Sequence, residues 1–133
     1  MKQLKTIQTE NNLNDVFAID EPGNGGAHHL YAVCRAGGGD ISPEDGAVHI
    51  EPESHIATIQ IQHGPRWESG STPGVCMTDL LEIVRDQLRD FQQGPFPCEE
   101  SANALIGVEH ALFWLDARAR ERAQRGVLGR IEK

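Results

Sequence analysis

The chain has 133 residues, and its 20 acidic and 12 basic side chains give a formal net charge of −8 at pH 7. A chain of this length can bury its own core without disulfides or a metal, so we expect a single domain over residues 1–133. The acidic balance argues against a nucleic-acid polymer as partner, because a duplex would be repelled over most of the surface. No apolar run has the length of a membrane span and no signal-peptide centre is present, so we expect a cytoplasmic protein without a membrane partner.

Residues 1–72 are expected to form the β-rich part. Four short runs have strand composition and are separated by turn residues: DVFAID, AHHLYAVCRA, AVHIEP and SHIATIQIQHGP. In the second run Leu30, Ala32 and Cys34 lie on one face. The connections are too short for crossover helices, which predicts an antiparallel sheet of these strands with one face that needs a cover.

Residues 73–133 are expected to form a helical hairpin that supplies this cover. In MTDLLEIVRDQLRDFQQ the apolar residues are spaced 3, 4 and 3 apart, at Leu81, Val84, Leu88 and Phe91. This spacing predicts a helix with Thr78 as its N-cap. Gly94 and two prolines end it.

A second helix is predicted from about Cys98 to Gln124, with Gly126 at its end and a length of roughly 40 Å. Its seam consists of Leu105, Val108, Leu112, Leu115 and Ala119. Three apolar residues fall off this seam, Ile106, Phe113 and Trp114, and self-association is the simplest way to cover them. The predicted fold is therefore α+β: an N-terminal antiparallel β-sheet followed by a C-terminal antiparallel helical hairpin, in an oligomer.

The arginines of this helix allow two interpretations. Arg118, Arg122 and Arg125 stand at i, i+4 and i+7 on one face, while Arg120 points elsewhere. They can be solvated cations at the negative end of the helix dipole. Alternatively, two guanidinium forks one turn apart can each hold a phosphate of a pyrophosphate or cyclic nucleotide.

Two aromatic residues are likewise open to two interpretations. Trp67 follows the last predicted strand and can either stack on a base or form a half-buried lid over the sheet edge. Phe91 ends the first helical seam, where it can pack or offer one ring face to a ligand.

The sequence contains neither a catalytic nor a metal-binding pattern. GxSxG and P-loop motifs are absent, and the three cysteines form no CxxC pair. His28 and His29 are adjacent on a predicted strand, so their side chains leave opposite faces and do not simply share one ion. We expect a binding protein with no metal, no cofactor and no catalytic residue.

The carboxyl-terminal half also carries a family resemblance. Residues 62–129 resemble the Thoeris anti-defence sponge family of phage proteins, most specifically in FQQGPF, ALFWLDAR and RGVLG. The hairpin alone resembles the anti-CBASS sponge family. The resemblance implies a non-enzymatic trap in the bacterial host cytoplasm that sequesters glycocyclic ADP-ribose. It also implies a dimer or hexamer, with the ligand between the sheet of one chain and a helix of another.

Site residues follow from this resemblance position by position. The family's aromatic contact falls on Phe91, and its paired arginines fall on Arg118 and Arg122. Its polar amide falls on Ser101, with Asn103 two residues later. The chain also departs from the family's pattern at Ala119, Leu128 and Arg130.

Three alternatives stay open at this point. The first is a sponge for cyclic di- or trinucleotides, which hexameric members of the family bind at separate sites. The second is an enzyme that cleaves the messenger, for which His55, His63 or Glu68 would supply acid/base chemistry. The third is an assembly protein whose hairpin only oligomerises and whose arginines are solvated.

Overall fold

In the computed structural model, residues 1–8 and 10–126 are described, and the chain divides into two compact units. The first unit is Met1–Gly74 and the second begins at Val75. That the chain forms one domain stays a prediction, and each unit is described by itself. Within the described residues, no helix has both the length and the apolar character needed to cross a membrane.

The first unit contains two antiparallel sheets. Its strands in chain order are β1 (Lys2–Gln3), β2 (Asn14–Ala18), β3 (Leu30–Arg35), β4 (Gly39–Ile41), β5 (Val48–Ile50) and β6 (His55–Gln60). The larger sheet has the order β1-β2-β3-β6, and the smaller one pairs β4 with β5. All these pairings are antiparallel, which confirms the predicted sheet type.

Three details of the strand prediction are wrong. The run AVHIEP does not join the larger sheet, because its strand β5 pairs with β4. Strand β4 lies in a segment predicted as a turn-rich connection, since its glycine run is untypical of a strand. Strand β1 was not predicted either, because its two residues are too few for an alternating pattern. The larger sheet still has four strands, because β1 joins it as an edge strand beside β2.

The fully buried apolar residues of the first unit come from β2 and β3. They are Phe17, Ala18, Ala32 and Cys34. Phe17 is paired with Ala32, so both side chains lie on one face, and the alternation of β3 adds Cys34 to it. This confirms the predicted shared face of Ala32 and Cys34. Burial raises the pKa of the Cys34 thiol, and nearby Asp15 raises it further, so Cys34 stays protonated as part of the core.

Strand β4 lies directly against this core. A Cβ atom on Gly39 would stand 2.9 Å from the ring of Phe17 and 3.2 Å from the side chain of Ile50. Glycine is therefore required at position 39 for the close approach of the small sheet to the Phe17 ring.

We expect Gly39→Ala to lower the free energy of unfolding by about 1–3 kcal/mol, because the added methyl group overpacks the core. Gly25→Ala is the matched control, since no described atom lies within 4 Å of the position that its added methyl group would take. Urea unfolding curves measure both. Equal midpoints for the two variants would contradict the close approach of β4 to Phe17.

The second unit is a hairpin of two helices, α1 (Met77–Gln93) and α2 (Glu99–Gln124), as predicted. The predicted N-cap Thr78 is wrong. The cap is Cys76, whose N–H donates to the carboxylate of Asp79 at 2.8 Å, so the cap lies two residues earlier than predicted. Gly94 follows the last residue of α1, and Gly126, with φ of +73°, follows α2.

Polar contacts connect the two helices at two positions along the hairpin. Arg85 Nε donates to Glu109 Oε2 at 2.8 Å, and Cys98 N–H donates to Gln92 Oε1 at 3.1 Å across the link. The α2 seam is half-buried along its length. The off-seam residues are exposed, as predicted: Ile106 by 52%, Phe113 by 62% and Trp114 by 70%.

Candidate functional site

The five predicted ligand residues lie in two groups near opposite ends of α2. The link group is Phe91, Ser101 and Asn103; the arginine group is Arg118 and Arg122. Fifteen residues separate Asn103 from Arg118, which corresponds to about 22 Å along the helix axis. One straight helix therefore keeps the two groups too far apart to hold one compact nucleotide.

The link group has exposed aromatic rings. Phe91, at the end of α1, is 58% exposed, so the interpretation of Phe91 as a packed seam residue is wrong. Phe96, within the link, is 86% exposed. Phe96 was not among the predicted site residues, although it lies between two prolines and outside both apolar seams, a signal of exposure. Both rings are open to a planar ligand.

The polar members of the link group differ in what they contact. Ser101 is occupied by helix capping: its N–H donates to Cys98 Sγ at 3.4 Å, and its hydroxyl accepts from the same thiol at 3.1 Å. Asn103 is exposed, and its amide has no hydrogen bond within the described part of the chain. Asn103 therefore has the more available polar side chain of the two.

The four described arginines of α2 have different surroundings. Arg120 pairs with Asp116 at 3.0 Å, and Arg125 pairs with Glu121, each across one helical turn. Arg122 is buried, with only 6% of its surface exposed, so the interpretation of these arginines as solvated is wrong for Arg122. Arg118 is exposed and makes no ion pair with any described residue. It is the guanidinium most open to an anion.

Trp67 lies on a loop whose two ends are connected by hydrogen bonds. The interpretation as a half-buried lid is wrong, because 78% of the Trp67 surface is exposed. Gln62 Oε1 accepts hydrogen bonds from Arg66 Nε at 3.2 Å and from Gly74 N–H at 3.1 Å. Arg66 Nη2 donates to the Gly74 carbonyl at 2.8 Å. Hydrogen bonds thus join the two ends of the loop, and the loop exposes the indole to solvent.

Histidines form a small cluster in the first unit. The rings of His29 and His63 stack with centroids 3.9 Å apart and planes 5° from parallel. The backbone N–H of His29 donates to Asp20 Oδ2 at 2.8 Å, whereas the ring Nδ1 of His28 contacts the Asp20 carbonyl at 2.7 Å. The His28 ring therefore contacts the Asp20 backbone, whereas the His29 ring stacks on His63. In residues 1–8 and 10–126, no group of three His, Cys, Asp or Glu is arranged to hold a metal ion.

The residues required by the enzyme alternative have other neighbours. His55 Nε2 contacts the hydroxyl of Thr58 at 2.8 Å, and His63 stacks on His29. Glu68 lies in the Trp67 loop, where its carbonyl accepts from Ser71 Oγ at 2.9 Å. These contacts stabilise loops and the strand end.

Burial sets the charge of His29. It lowers the pKa of His29, and the neighbouring His63 lowers it further, so His29 is neutral at pH 7. Burial raises the pKa of Asp20, but backbone N–H donors from His29 and Leu30 outweigh it, and the net pKa lies below the usual value. At pH 7, a neutral His29 therefore lies beside an ionised Asp20.

We expect the free energy of unfolding to fall as the pH is lowered from 7.5 to 5.5. Below the ordinary histidine pKa of about 6.5, the unfolded chain binds a proton that folded His29 resists. One such proton gives a slope of at most about 1.4 kcal/mol per pH unit. Urea midpoints at three pH values measure the slope.

His29→Gln should reduce this pH slope, while His110→Gln, at an exposed position of α2, should leave it unchanged. An identical slope in the wild type and His29→Gln would show that the stacked pair contributes nothing to it.

Two comparisons with known proteins address the family. The profile described as "Acb2/Tad1, hairpin domain" matches residues 54–120, half of the chain. This range includes α1, the link group and Arg118, and it stops before Arg122. Leu128 and Arg130, where the chain departs from the family's pattern, lie outside the described residues.

The chain is also similar to "Thoeris anti-defense 1" of Bacillus phage SBSphiJ7. The two are 45% identical over 78 residues, which cover 59% of this chain and 54% of the phage protein. The chain thus spans about half the length of this relative. These matches confirm the resemblance stated from the sequence: the chain belongs to the Acb2/Tad1 hairpin-domain family.

Proposed function

We propose that this protein is a phage sponge for an immune messenger of the cyclic ADP-ribose type, glycocyclic ADP-ribose. It binds the messenger in the cytoplasm of the infected bacterium and sequesters it uncleaved, so that the Thoeris effector is not activated. The name of its relative, Thoeris anti-defense 1, supports this function. The observation that carries the proposal is an exposed Arg118, without an ion pair among the described residues, on the same family-matched hairpin as exposed Phe91.

The chemistry of these side chains suits such a ligand. The exposed ring of Phe91 can stack on the adenine. The fork of Arg118 binds a pyrophosphate oxygen pair with charge-assisted hydrogen bonds, and Arg122, one turn away, adds positive potential from a buried position. The amide of Asn103 is the polar group available to the ribose, and the Ser101 hydroxyl, which accepts from Cys98 Sγ, can still donate one hydrogen bond.

Two chains are needed to complete this site. Because about 22 Å of helix separates Asn103 from Arg118, one messenger reaches both groups only if a second chain supplies one of them. Self-association also covers the exposed rings of Phe113 and Trp114, which are costly to leave in water. We therefore propose a homo-oligomer, a dimer or hexamer built through the hairpin.

Sequestration requires a high affinity of the protein for the messenger. A stoichiometric trap must hold the free messenger below the concentration that activates the effector. This requires a nanomolar dissociation constant, or about −12 kcal/mol. A site already assembled between two chains lowers the ordering cost and makes such affinity attainable for a small ligand.

We expect Arg118→Ala to weaken binding of glycocyclic ADP-ribose by about 10- to 100-fold, because it removes charge-assisted hydrogen bonds to phosphate. Arg120→Ala is the matched control: it removes the same charge two residues away, where the guanidinium already pairs with Asp116. Isothermal titration calorimetry measures both. Equal affinities for the two variants would exclude Arg118 as the phosphate ligand.

We expect the messenger to be recovered intact when the complex is denatured by heat. Chromatography and mass spectrometry of the released nucleotide check this. A cleaved product would favour the enzyme alternative. Nanomolar binding of a cyclic trinucleotide in place of glycocyclic ADP-ribose would favour the cyclic-oligonucleotide sponge.

A further inference from the structure

The stacked rings of His29 and His63 connect three segments of the first unit. His29 directly precedes β3, His63 follows the end of β6 by three residues, and Gly23 lies in the turn between β2 and β3. A Cβ atom on Gly23 would stand 3.0 Å from His29 Cε1 and 3.0 Å from His63 Nε2. Glycine therefore allows the backbone of the turn to lie across the edges of both rings.

His63 also forms one end of the Trp67 loop, residues 64–71. Its backbone N–H donates to the Thr72 carbonyl at 2.9 Å, and the Thr72 N–H donates to the His63 carbonyl at 2.8 Å. This pair of hydrogen bonds closes the loop. Because the His63 ring is held against His29, the stack keeps the closed end of the loop beside the start of β3.

A positive charge on His29 is unfavourable in this arrangement. Its Nδ1 is buried and has no hydrogen-bond partner among the described residues. A neutral imidazole can leave one nitrogen as an unused acceptor, whereas both nitrogens of an imidazolium are donors. A protonated His29 would therefore bury a charged N–H without an acceptor, which costs more than burying the neutral ring.

Three titratable groups face His29: His63, Asp20 and His28. Burial, His63 and His28 lower the pKa of His29, and Asp20 opposes them without reversing the shift. The Asp20 carboxylate contacts other groups, since Oδ2 accepts from the His29 backbone and Oδ1 lies 3.4 Å from His28 Nδ1. Two positively charged rings with centroids 3.9 Å apart would repel each other, so the stack resists a proton on each ring.

A second set of contacts at the base of the Trp67 loop does not depend on these histidines. Gln62 Oε1 accepts from Arg66 Nε and from the Gly74 N–H. Arginine stays charged in neutral and weakly acidic solution, and amides do not titrate there. Separation of the histidine rings therefore frees one side of the loop while the Gln62 side stays attached, so that the change is local.

We propose that the His29–His63 stack is a pH-sensitive switch for the Trp67 loop. In neutral solution the stacked rings hold the loop in the arrangement described above. In weak acid the rings take up protons and separate, and the His63–Thr72 hydrogen bonds open while β2 and β3 stay paired. The side chain whose mobility this switch controls is the exposed indole of Trp67. The switch is independent of messenger binding.

Proton linkage sets the direction and the range of the switch. Separated rings lie in water, where histidine has a pKa of about 6.5, whereas the stack resists protonation. The open form thus binds more protons, and lowering the pH favours it. For each proton that only the open form binds, the ratio of open to closed form rises by at most about tenfold between pH 7.5 and 5.5.

Hydrogen exchange of the backbone amides, resolved by NMR on the full chain at pH 7.5 and 5.5, tests the switch. Each rate is divided by the intrinsic exchange rate at that pH, so that only opening is compared. Protection of the Thr72 N–H should be lower than that of the Val33 N–H in β3 at both pH values, which identifies local opening. On acidification, the Thr72 protection should fall about three- to tenfold.

His29→Phe is the decisive variant, because it keeps an aromatic ring in the stack that binds no proton. It removes no hydrogen bond of Nδ1, since this atom makes none with the described residues. The pH dependence of Thr72 protection should be lost. His49→Phe is the matched control, the same replacement at an exposed position of β5 in the smaller sheet, and it should keep the wild-type pH dependence.

Fluorescence anisotropy gives a second measurement that needs no change in the stack. Trp114→Phe leaves Trp67 as the one tryptophan of the chain. Its anisotropy should fall between pH 7.5 and 5.5 as the indole gains mobility. Sedimentation velocity at both pH values corrects for a change in particle size, and circular dichroism checks that every variant stays folded.

A pH-dependent fall in Thr72 protection in the wild type and His49→Phe, absent from folded His29→Phe, supports the switch. Three results overturn it. The first is Thr72 protection that is the same at both pH values, and the second is an unchanged pH dependence in His29→Phe. The third is equal protection of Thr72 and Val33, which would show that the loop opens only when the unit unfolds.

Discussion

The length of α2 constrains the positions of the predicted ligand residues of the hairpin. A helix of 26 residues is about 39 Å long, whereas α1, its partner in the hairpin, has 17 residues. Ile106, Phe113 and Trp114 lie off the seam with α1, so one face of α2 is left in water. The two groups of predicted ligand residues are also held apart at its ends. We propose that a second chain resolves both problems at once, because it would cover the apolar face and supply the missing half of the proposed site.

The hairpin was predictable because the contacts of a helix follow from local spacing. The 3, 4, 3 repeat, the glycines at 94 and 126 and the prolines of the link determine both helices almost to the residue. The N-cap of α1 was missed because cysteine is a rare N-cap residue, whereas threonine, present at Thr78, is a preferred one. Asp79 decides the start, since its carboxylate reaches back to the Cys76 N–H.

The sheet and the site were less predictable because they depend on partners distant in sequence. Pairing of β4 with β5 depends on the fit of Gly39 over Phe17, which no local pattern shows. Likewise, four arginines with similar spacing signals have different surroundings: Arg120 and Arg125 are paired, Arg122 is buried and Arg118 is exposed. Sequence resemblance names positions, but exposure and ion pairing decide which of them can meet an anion.

The central claim, that one messenger is bound by side chains from two chains, is tested most directly by mixing two defective variants. Phe91→Ala and Arg118→Ala damage opposite halves of the site. After subunit exchange in an equal mixture, half of the pairs are mixed, and one of their two sites contains both intact halves. Calorimetry should then find wild-type affinity for glycocyclic ADP-ribose at about a quarter of the sites. A mixture that exchanges subunits and recovers no such sites would contradict the claim.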